Sequence, residues 1–289
     1  MLGRAEKFSQ LYLIGDLPEN KIKADKEALK QLEKLKSKSV NENPSVWEKK
    51  FDESLKVCYH NIHLLKDKLE DILDDPIFPF SDLLIFGETW LQPHEELDLK
   101  AVLPIYNKED SYLKDYQVSL TNIGRGKGIA AFYKEEKFTV TTNFFDEHLQ
   151  ITVFKSEDLC VVGIYRSHED KVLRMLLANV IPNSGSCLVI GDLNLCARAE
   201  PNHSVFEFLR QLGFELQIKE ATHFTGGALD QAWLRTNSTV KASKTQLYSP
   251  YFNARDHDGI LFSFYDPLKE SGIYFQFLNL NLFLVNFRS

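Results

Sequence analysis

The sequence predicts an α+β fold in which two mainly antiparallel β-sheets pack face to face and helices cover their outer surfaces. Eight short runs rich in β-branched and aromatic residues have the composition of strands. Three further segments carry apolar residues at helical spacing, and no repeat of fixed period is present. With 289 residues, of which 44% are hydrophobic, the chain can bury about three-quarters of its unfolded surface, enough for a substantial core.

The predicted elements alternate along the chain after about residue 50. Strands are expected at residues 55–60, 82–87, 128–133, 150–154, 159–165, 187–191, 231–234 and 259–265. Helices are expected where apolar residues recur at three- and four-residue spacing, around residues 64–73, 173–180 and 205–212. Because strands outnumber helices, we expect the helices to lie outside two packed sheets.

A separate element precedes this region. Residues Lys21–Lys38 combine apolar side chains at helical spacing with acidic residues early and lysines late, which favours an amphipathic helix. The sequence Asn41–Pro44 then interrupts the pattern. We therefore predict a leader over residues 1–50, a main domain over residues 51–267 and an apolar C-terminal extension over residues 268–289.

Composition restricts the classes of function. The 41 acidic and 34 basic residues give a net charge of −7, which excludes the general basicity of a histone-like or membrane-coating protein. The four cysteines have no metal-binding or redox spacing, and the N-terminus has no secretory apolar segment, so we expect a reduced, intracellular protein that is not secreted. Residues Ile273–Phe287 are apolar but interrupted by polar residues and shorter than the ~20 residues that cross a bilayer, so no membrane association is expected.

Polar residues stand at the ends of the predicted buried strands, where an apolar run would otherwise simply become a loop. They are Asn61, Glu88, Tyr165, Arg166, Asp192, Asn194, Asp230, Asp256 and His257. If these strand ends share one edge, several carboxylates lie close together and repel one another unless a cation neutralises them. Hard oxygen ligands of this kind suit Mg²⁺ or Mn²⁺. The pattern therefore predicts a site for a divalent metal.

Each motif alone also fits an ordinary structural role. Gly191–Asn194 is a common way for a strand to enter a turn, and Asp256-His257 is compatible with a surface dipeptide. The glycine-rich segment Gly124–Gly128 fits a flexible hairpin approach as well as a basic loop that touches a nucleic-acid backbone. No GxxxxGK[ST] or GxSxG motif occurs, which excludes ATP hydrolysis and a nucleophile elbow. The functional signal is the ordered set, in which every member adjoins a strand end.

This ordered set resembles the endonuclease/exonuclease/phosphatase superfamily, the relatives of deoxyribonuclease I, exonuclease III and LINE-type retrotransposon endonucleases. The matching motifs cover about residues 55–266 and are CYHNI, FGETWL, GKGIAAFY, GIYRS, IGDLN, GALDQAW and RDHDGI. The resemblance implies a four-layer α/β/β/α sandwich with the active site at one edge of the two sheets.

The resemblance also implies a role for each matching residue. Glu88 is expected to be the principal metal ligand, helped by Asn61 and Asp256. Asp192 would orient or deprotonate the attacking water, and Asn194 would hold that water and the phosphate. His257, positioned by Asp230, would stabilise the charge that develops on the phosphate, and Tyr165 would lie against the same phosphate.

Contacts to DNA are expected from four basic residues, Arg125, Lys127, Arg166 and Arg255. The Tyr165-Arg166 pair is similar to the transposon-encoded and abasic-site branches of the superfamily, which favours DNA over lipid headgroups. Arg255 departs from the pattern, because many relatives have Ser before Asp-His. Residues 58–289 contain 22 basic and 31 acidic residues, so binding to DNA should be weak and strongly salt-dependent unless these four gather on one face.

The leader resembles the closing segment of the helicase of Helitron-like transposons, in which an arginine element, here Arg4, precedes a Lys-Ile-Lys-containing helix. In the Helentron group of those elements, an endonuclease of this superfamily follows the helicase. The resemblance implies a mobile-element origin, a nuclear location and a helicase domain or protein as a partner. An unrelated amphipathic leader helix remains the alternative. The protein is otherwise expected to be a monomer.

Three functions stay open on the sequence alone. The first is a Mg²⁺- or Mn²⁺-dependent DNA endonuclease, most simply a nicking enzyme. The second is a phosphatase or phosphodiesterase that acts on inositol phosphates, sphingomyelin or RNA. The third is an inactive transposon-derived fragment or a binding module. The presence of all the expected metal and water ligands argues against decay, because neutral drift would not spare these scattered polar positions.

Overall fold

The computed structural model describes residues 54–75, 77–92, 111–121, 124–167, 172–236, 242–248 and 256–265. The predicted leader over residues 1–50, its helix at Lys21–Lys38 and the extension over residues 268–289 lie outside these ranges. The three predicted domain assignments therefore stay predictions. All eight predicted strands and the three later helices lie within the described part, and all are present.

Twelve strands in the described ranges form two six-stranded sheets. They are β1 (Leu55–Asn61), β2 (Leu83–Gly87), β3 (Gln117–Thr121), β4 (Ile129–Tyr133), β5 (Thr139–Phe145), β6 (Leu149–Lys155), β7 (Cys160–Arg166), β8 (Cys187–Asp192), β9 (Glu215–Leu216), β10 (Asp230–Arg235), β11 (Ala242–Tyr248) and β12 (Gly259–Tyr265). The first sheet has the order β11-β12-β1-β2-β4-β3, and the second has the order β5-β6-β7-β8-β10-β9.

Each sheet has one parallel pair at its centre, and its other pairs are antiparallel. The parallel pairs are β1 with β2 and β7 with β8. Parallel neighbours need a crossover connection, usually helical. The first crossover contains the 3₁₀ helix Leu65–Lys68 and helix α1 (Leu69–Asp74), and the second contains helix α2 (Leu173–Val180). The predicted mainly antiparallel arrangement is thereby confirmed.

Three layers of apolar side chains hold the four layers of secondary structure together. The central layer lies between the sheets and includes Val57, Ile85 and Ile190. Helices α2 and α3 (Ser204–Gln211) pack on the outer face of the second sheet, and the residues around α1 pack on the outer face of the first. The predicted α/β/β/α sandwich is confirmed. Among the described helices, none is long and apolar enough to span a bilayer.

A close approach of the backbones of β7 and β8 depends on Gly191. Its φ is +151°, and a Cβ there would lie 1.9 Å from the carbonyl oxygen of Ile164. We expect Gly191→Ala to lower the free energy of unfolding by about 3 kcal/mol or more, since the clash and the backbone strain add.

Urea unfolding measures this loss, with Gly185→Ala as the matched control. Gly185 also has a positive φ of +96°, but a Cβ there meets nothing within 4 Å. We expect that control to cost about 1–2 kcal/mol, from the left-handed backbone alone. Equal losses in the two variants would contradict the steric explanation.

Candidate active site

The carboxyl ends of the two parallel pairs bring polar residues from both sheets to one edge of the sandwich. Asn61 ends β1 and pairs in register with Gly87, directly before Glu88. Tyr165 of β7 pairs in register with Asp192, the last residue of β8. The antiparallel neighbour β10 begins at the same edge, where Asp230 lies opposite Asp192. Strand topology alone therefore gathers the predicted residues of both sheets.

Asn61 joins the two halves of this edge. Its side-chain Nδ2 donates to Glu88 Oε1 at 3.1 Å and to Asp192 Oδ2 at 3.0 Å, and it lies 3.4 Å from His257 Nε2. The position of the amide nitrogen follows from these neighbours, because an amide oxygen there would face two carboxylates. Asn61 is fully buried. Two predicted metal ligands, Glu88 and Asn61, thus form one connected cluster with the predicted catalytic residues Asp192 and His257.

Asp230 and His257 form the predicted pair. His257 Nδ1 donates to Asp230 Oδ2 at 2.7 Å, and the aspartate is buried. Burial by itself would lower the pKa of the His257 imidazole, but the negative charge of Asp230 and its hydrogen bond, followed by the charges of Asp192 and Glu88, raise it to about 9. The imidazole is therefore held in the protonated, hydrogen-bond-donating form at neutral pH.

The pKa of Asp192 is also raised, and for a carboxyl this shift favours the uncharged form. It is fully buried, so burial raises the pKa of its carboxyl, and the charge of Asp230 raises it further, to about 7. The backbone N–H of Asn194 donates to Asp192 Oδ1 at 2.7 Å and fixes the carboxylate. A carboxylate whose pKa lies near neutrality is suited to accept a proton from water.

We expect the imidazole of His257 in the metal-free protein to titrate with a pKa of about 9, and we expect Asp230→Asn to lower that pKa strongly, since its main acidic partner is lost. Because the folded pKa lies above the unfolded value, the Asp230–His257 pair stabilises the protein fully below about pH 6.5 and loses this contribution as the pH rises through about 9. Two-dimensional NMR of the histidine ring, in the presence of a chelator, measures the titration. An unchanged pKa in Asp230→Asn would contradict this assignment.

Tyr165 holds Glu88 from the second sheet. Its hydroxyl lies 3.0 Å from Glu88 Oε1 and 2.9 Å from the carbonyl oxygen of Gly126, both acceptors. Burial, and then the charge of Glu88, raise the pKa of the Tyr165 hydroxyl well above its ordinary value, so it remains a donor. The structure thus places Tyr165 against the predicted metal ligand Glu88, and its expected contact with the phosphate stays a prediction.

The glycine-rich segment Gly124–Gly128 lies beside the site. The backbone N–H of Trp90 donates to the carbonyl of Lys127 at 2.9 Å, and that of Thr89 donates to Gly128 at 3.3 Å, so the segment is bonded to the residues that follow Glu88. Arg125 is exposed, with its guanidinium 5.3 Å from the centre of the Trp90 ring. The ammonium of Lys127 lies 3.5 Å from Glu147. Both basic residues therefore border the cluster, while their contact with DNA stays a prediction.

Arg166 does not occupy the position expected for a DNA contact. Only 3% of it is exposed, and its guanidinium Nη1 donates to the carbonyl of Leu193 at 2.7 Å. It supports the turn that carries Asp192 and Asn194 from within. Asn194 itself is exposed, and its Nδ2 donates to the carbonyl of Arg166 at 2.5 Å. The fourth predicted contact, Arg255, lies outside the described residues.

Four residues near the cluster were not predicted. His63 Nδ1 lies 3.4 Å from Asp256 Oδ2, and the His63 ring is 4.7 Å from the ring of Trp90. His223 packs edge-on against His257, with ring centres 4.7 Å apart, and the exposed Phe224 adjoins it. His223 contacts His257 through a long-range pairing of two turns, which leaves no periodic signal in the sequence.

Backbone strain is concentrated in the turns around the cluster. Within the described ranges, the non-glycine residues with positive φ all follow β1, β2 or β8, and they are His63, Leu64, Glu88, Trp90 and Asn194. Such conformations cost about 1–3 kcal/mol each and occur preferentially at functional sites. The left-handed backbone conformation at these turns is unfavourable by itself, and it sets the direction of the Glu88 and Asn194 side chains.

The residues present fit a divalent metal. The side-chain oxygen Oδ1 of Asn61 is buried without a hydrogen-bond partner, and it belongs to the residue that touches the Glu88 carboxylate. A second acidic group, Asp192 with Asp230 and His257, has ligand atoms within 4.8 Å of one another. In that group Oδ1 of Asp230 is also buried without a hydrogen-bond partner. Both groups therefore offer oxygen donors for a divalent metal, and Glu88 and Asn61 remain the ligands that the sequence predicts.

Comparison with known proteins agrees with this geometry. The family model of the endonuclease/exonuclease/phosphatase family matches residues 58–257, more than half of the chain. No curated protein sequence matches the chain.

Three solved structures have a similar fold. The human Nocturnin catalytic domain with bound sulfate anion is 15% identical, with a TM-score of 0.52, covering 74% of this chain and 94% of that chain. An AP endonuclease from Archaeoglobus fulgidus is 14% identical, with a TM-score of 0.52, covering 73% of this chain and 99% of that chain. The 3′ phosphatase NExo from Neisseria, bound to a product DNA hairpin, is 13% identical, with a TM-score of 0.54, covering 72% of this chain and 98% of that chain. The chain therefore belongs to the endonuclease/exonuclease/phosphatase family, whose members hydrolyse phosphate esters.

Proposed function

We propose that the protein is a divalent-metal-dependent phosphodiesterase that cuts DNA, acting as a nicking endonuclease. The observation that carries this proposal is the Asn61 junction. One buried amide reaches Glu88 at 3.1 Å and Asp192 at 3.0 Å, while His257 lies 3.4 Å away. A metal ligand, a proton acceptor and a charge-stabilising donor thus surround one point, which is the equipment that hydrolysis of a phosphodiester needs.

Each residue of the cluster has a separate role in this proposed reaction. Glu88 and Asn61, with Asp256 at the same edge, would hold Mg²⁺ or Mn²⁺, which supplies a Lewis acid for a phosphate oxygen. Asp192 accepts the proton of the attacking water, since its pKa lies near neutrality. His257, kept protonated and oriented by Asp230, donates to the phosphate oxygen on which negative charge develops. Asn194 fixes the Asp192 carboxylate through its backbone N–H.

DNA is the favoured substrate class for two reasons. NExo is bound to a DNA hairpin in its structure, and the Archaeoglobus relative is an AP endonuclease. In this chain, Arg125 is exposed beside the Glu88 side of the site. The acidic balance of the chain limits non-specific binding, so we infer that a helicase, as expected of a mobile-element protein, supplies targeting in the nucleus. The protein itself would act as a monomer.

A nicking assay on supercoiled plasmid tests the proposal. We expect wild type to convert plasmid to open circles with Mg²⁺ or Mn²⁺, EDTA to stop the conversion, and Glu88→Gln to lower it at least about 100-fold, as the loss of a key electrostatic group does. Glu207→Gln, on the exposed face of α3, is the matched control and should retain activity.

Conversion that is absent from wild type, or equal in wild type and Glu88→Gln, would refute the proposal. A parallel measurement of phosphate release from a phosphoinositide tests the alternative that the protein is a phosphatase. Inactivity on both substrates would favour the third alternative, an inactive fragment or binding module.

A further inference from the structure

Phe224 is the most exposed large apolar residue in the described part of the chain, at 70% exposure. It stands on a tight turn in which the N–H groups of Thr222 and His223 both donate to the carbonyl of Gly227, at 2.9 and 3.0 Å, and the N–H of Gly226 donates back to His223 at 2.9 Å. The ring therefore projects from a turn with fixed backbone geometry. One exposed ring is ordinary on a protein surface by itself, and its position relative to His257 is what makes Phe224 informative.

The turn is bonded to the catalytic segment. The N–H of Phe224 donates to the carbonyl of Asp256 at 2.9 Å, and the N–H of Asp258 donates to Thr222 at 2.7 Å. These bonds enclose His257 and hold the exposed ring at a fixed distance from it. Any displacement of the turn would move the catalytic histidine as well.

A row of aromatic rings leads from the reacting centre to solvent. The ring centres of His257 and His223 are 4.7 Å apart, and those of His223 and Phe224 are 4.6 Å apart. Phe224 is thus two ring contacts from the imidazole of His257. Trp90, on the Glu88 side, differs because His63 and Arg125 already contact its indole. Among the rings at this end of the site in the described ranges, Phe224 is the one most accessible to a ligand.

We propose that Phe224 stacks on an unpaired base next to the scissile phosphate, so that the preferred substrate is DNA with a single-stranded or unpaired nucleotide at the cleavage position. The inference rests on the proposed DNA hydrolase activity and names its substrate class. A base in a paired duplex already has both faces stacked, whereas an unpaired base offers a free face to an aromatic side chain. A nucleotide held by the catalytic residues would place its neighbour beside the turn.

The net charge of the protein also favours a stacking contact with an unpaired base. Residues 58–289 carry 22 basic and 31 acidic residues, so long-range attraction of DNA is weak and phosphate contacts are limited to local residues such as Arg125. Stacking is uncharged and tolerant of sequence, and it supplies affinity that salt does not screen. An endonuclease with this surface charge needs such a contact to retain a strand during the reaction.

The test compares one oligonucleotide sequence in three forms: single strand, perfect duplex and duplex with one unpaired nucleotide. Values of kcat/KM are measured for wild type, Phe224→Ala, Phe224→Leu and Phe224→Trp. We expect wild type to prefer the two forms with unpaired bases. Both Phe224→Ala and Phe224→Leu should lose about 5- to 150-fold on them, the range measured for loss of one base–aromatic stack, and their preference over duplex should collapse. Phe224→Trp should retain the preference.

Phe80→Ala is the matched control. Phe80 is 45% exposed and precedes β2, at the opposite end of that strand from Glu88, so its loss should leave the preference unchanged. If wild type is active but Phe224→Ala and Phe224→Leu have the same kcat/KM as wild type, the inference is overturned and the hydrolase function stands. The same conclusion follows if wild type cuts duplex as fast as single strand. Wild type that cuts none of the three forms overturns the proposed DNA hydrolase function, and the inference with it. Phe224→Leu retains apolar bulk on an exposed turn, so it separates loss of stacking from loss of folding.

Discussion

Replacing Asp192 by Asn should lower kcat for phosphodiester hydrolysis by about 10²- to 10⁴-fold, the usual contribution of a positioned general base. Asparagine retains the shape of the side chain, and its carbonyl oxygen can still accept from the N–H of Asn194, although its NH₂ group then faces the donor Nδ2 of Asn61. What it loses is the basic oxygen that accepts the proton of the attacking water. The effect should fall on kcat rather than KM, because the lost interaction forms only in the transition state.

The same substitution should change how the stability of the metal-free protein depends on pH, on top of a constant loss from the broken hydrogen bond with Asn61. The folded pKa of Asp192, about 7, lies above its ordinary value of 3.8, so ionisation of this buried carboxyl costs free energy in the folded state. This penalty grows as the pH rises from about 4 to about 7 and then stays constant. Asp192→Asn removes this penalty, so the stability of the variant relative to wild type should be higher at pH 8 than at pH 4.

Thermal unfolding at the two pH values, with a chelator present, measures this difference in stability, and steady-state kinetics measures the loss of activity. Asp115→Asn, at an exposed site outside the cluster, should change neither quantity. A stability difference between variant and wild type that is the same at pH 4 and pH 8 would contradict the raised pKa of Asp192.

The strands that the sequence revealed are the interior ones. All eight predicted strands occupy interior positions of the two sheets, whereas β3, β5, β9 and β11 form the four edges and were missed. Interior strands are buried on both faces and read as continuous apolar runs. Strand β5, with the sequence TVTTNFF, is largely exposed, and β9 has only two residues, so neither has an apolar pattern. An edge strand is defined by its pairing partner, and that partner is distant in the sequence.

The site was predictable for a related reason. Carboxyl ends of parallel strands meet at one edge of their own sheet, so polar residues after β1 and β2 converge, as do those of β7 and β8. Packing of the two sheets then brings both edges together, as the Asn61–Asp192 hydrogen bond shows. The error at Arg166 shows the limit of this reasoning. Successive residues of a strand point to opposite faces, so Tyr165 points between the sheets toward Glu88 while Arg166 points outward beneath Leu193. The position of a residue at a strand end predicts the edge of the sheet that it reaches. Whether its place in the strand is odd or even decides to which face of the sheet its side chain points.

Replacing His257 by Gln should lower kcat by about 10²- to 10³-fold, as expected for removal of one donor to the developing oxyanion. The imidazole combines a fixed orientation with a positive charge, since Asp230 accepts its Nδ1–H at 2.7 Å and its pKa is about 9. Glutamine can still donate a hydrogen bond, but it carries no charge. His203→Gln is the matched control, because that histidine caps helix α3 and accepts from Val205, so activity should persist.

The proposal that Asp230 acts through His257 can be tested with a double-mutant cycle. If Asp230 acts only by orienting and charging His257, Asp230→Asn should lower kcat on its own, but it should add less than about threefold to the loss in His257→Gln, because groups that act through one another are not additive. A double variant whose loss equals the product of the two single losses would show that Asp230 has a separate role. That role would be as a metal ligand with Asp192, whose carboxylate lies in the same group of donor atoms. The double-mutant cycle therefore decides on which side of Asn61 the metal binds.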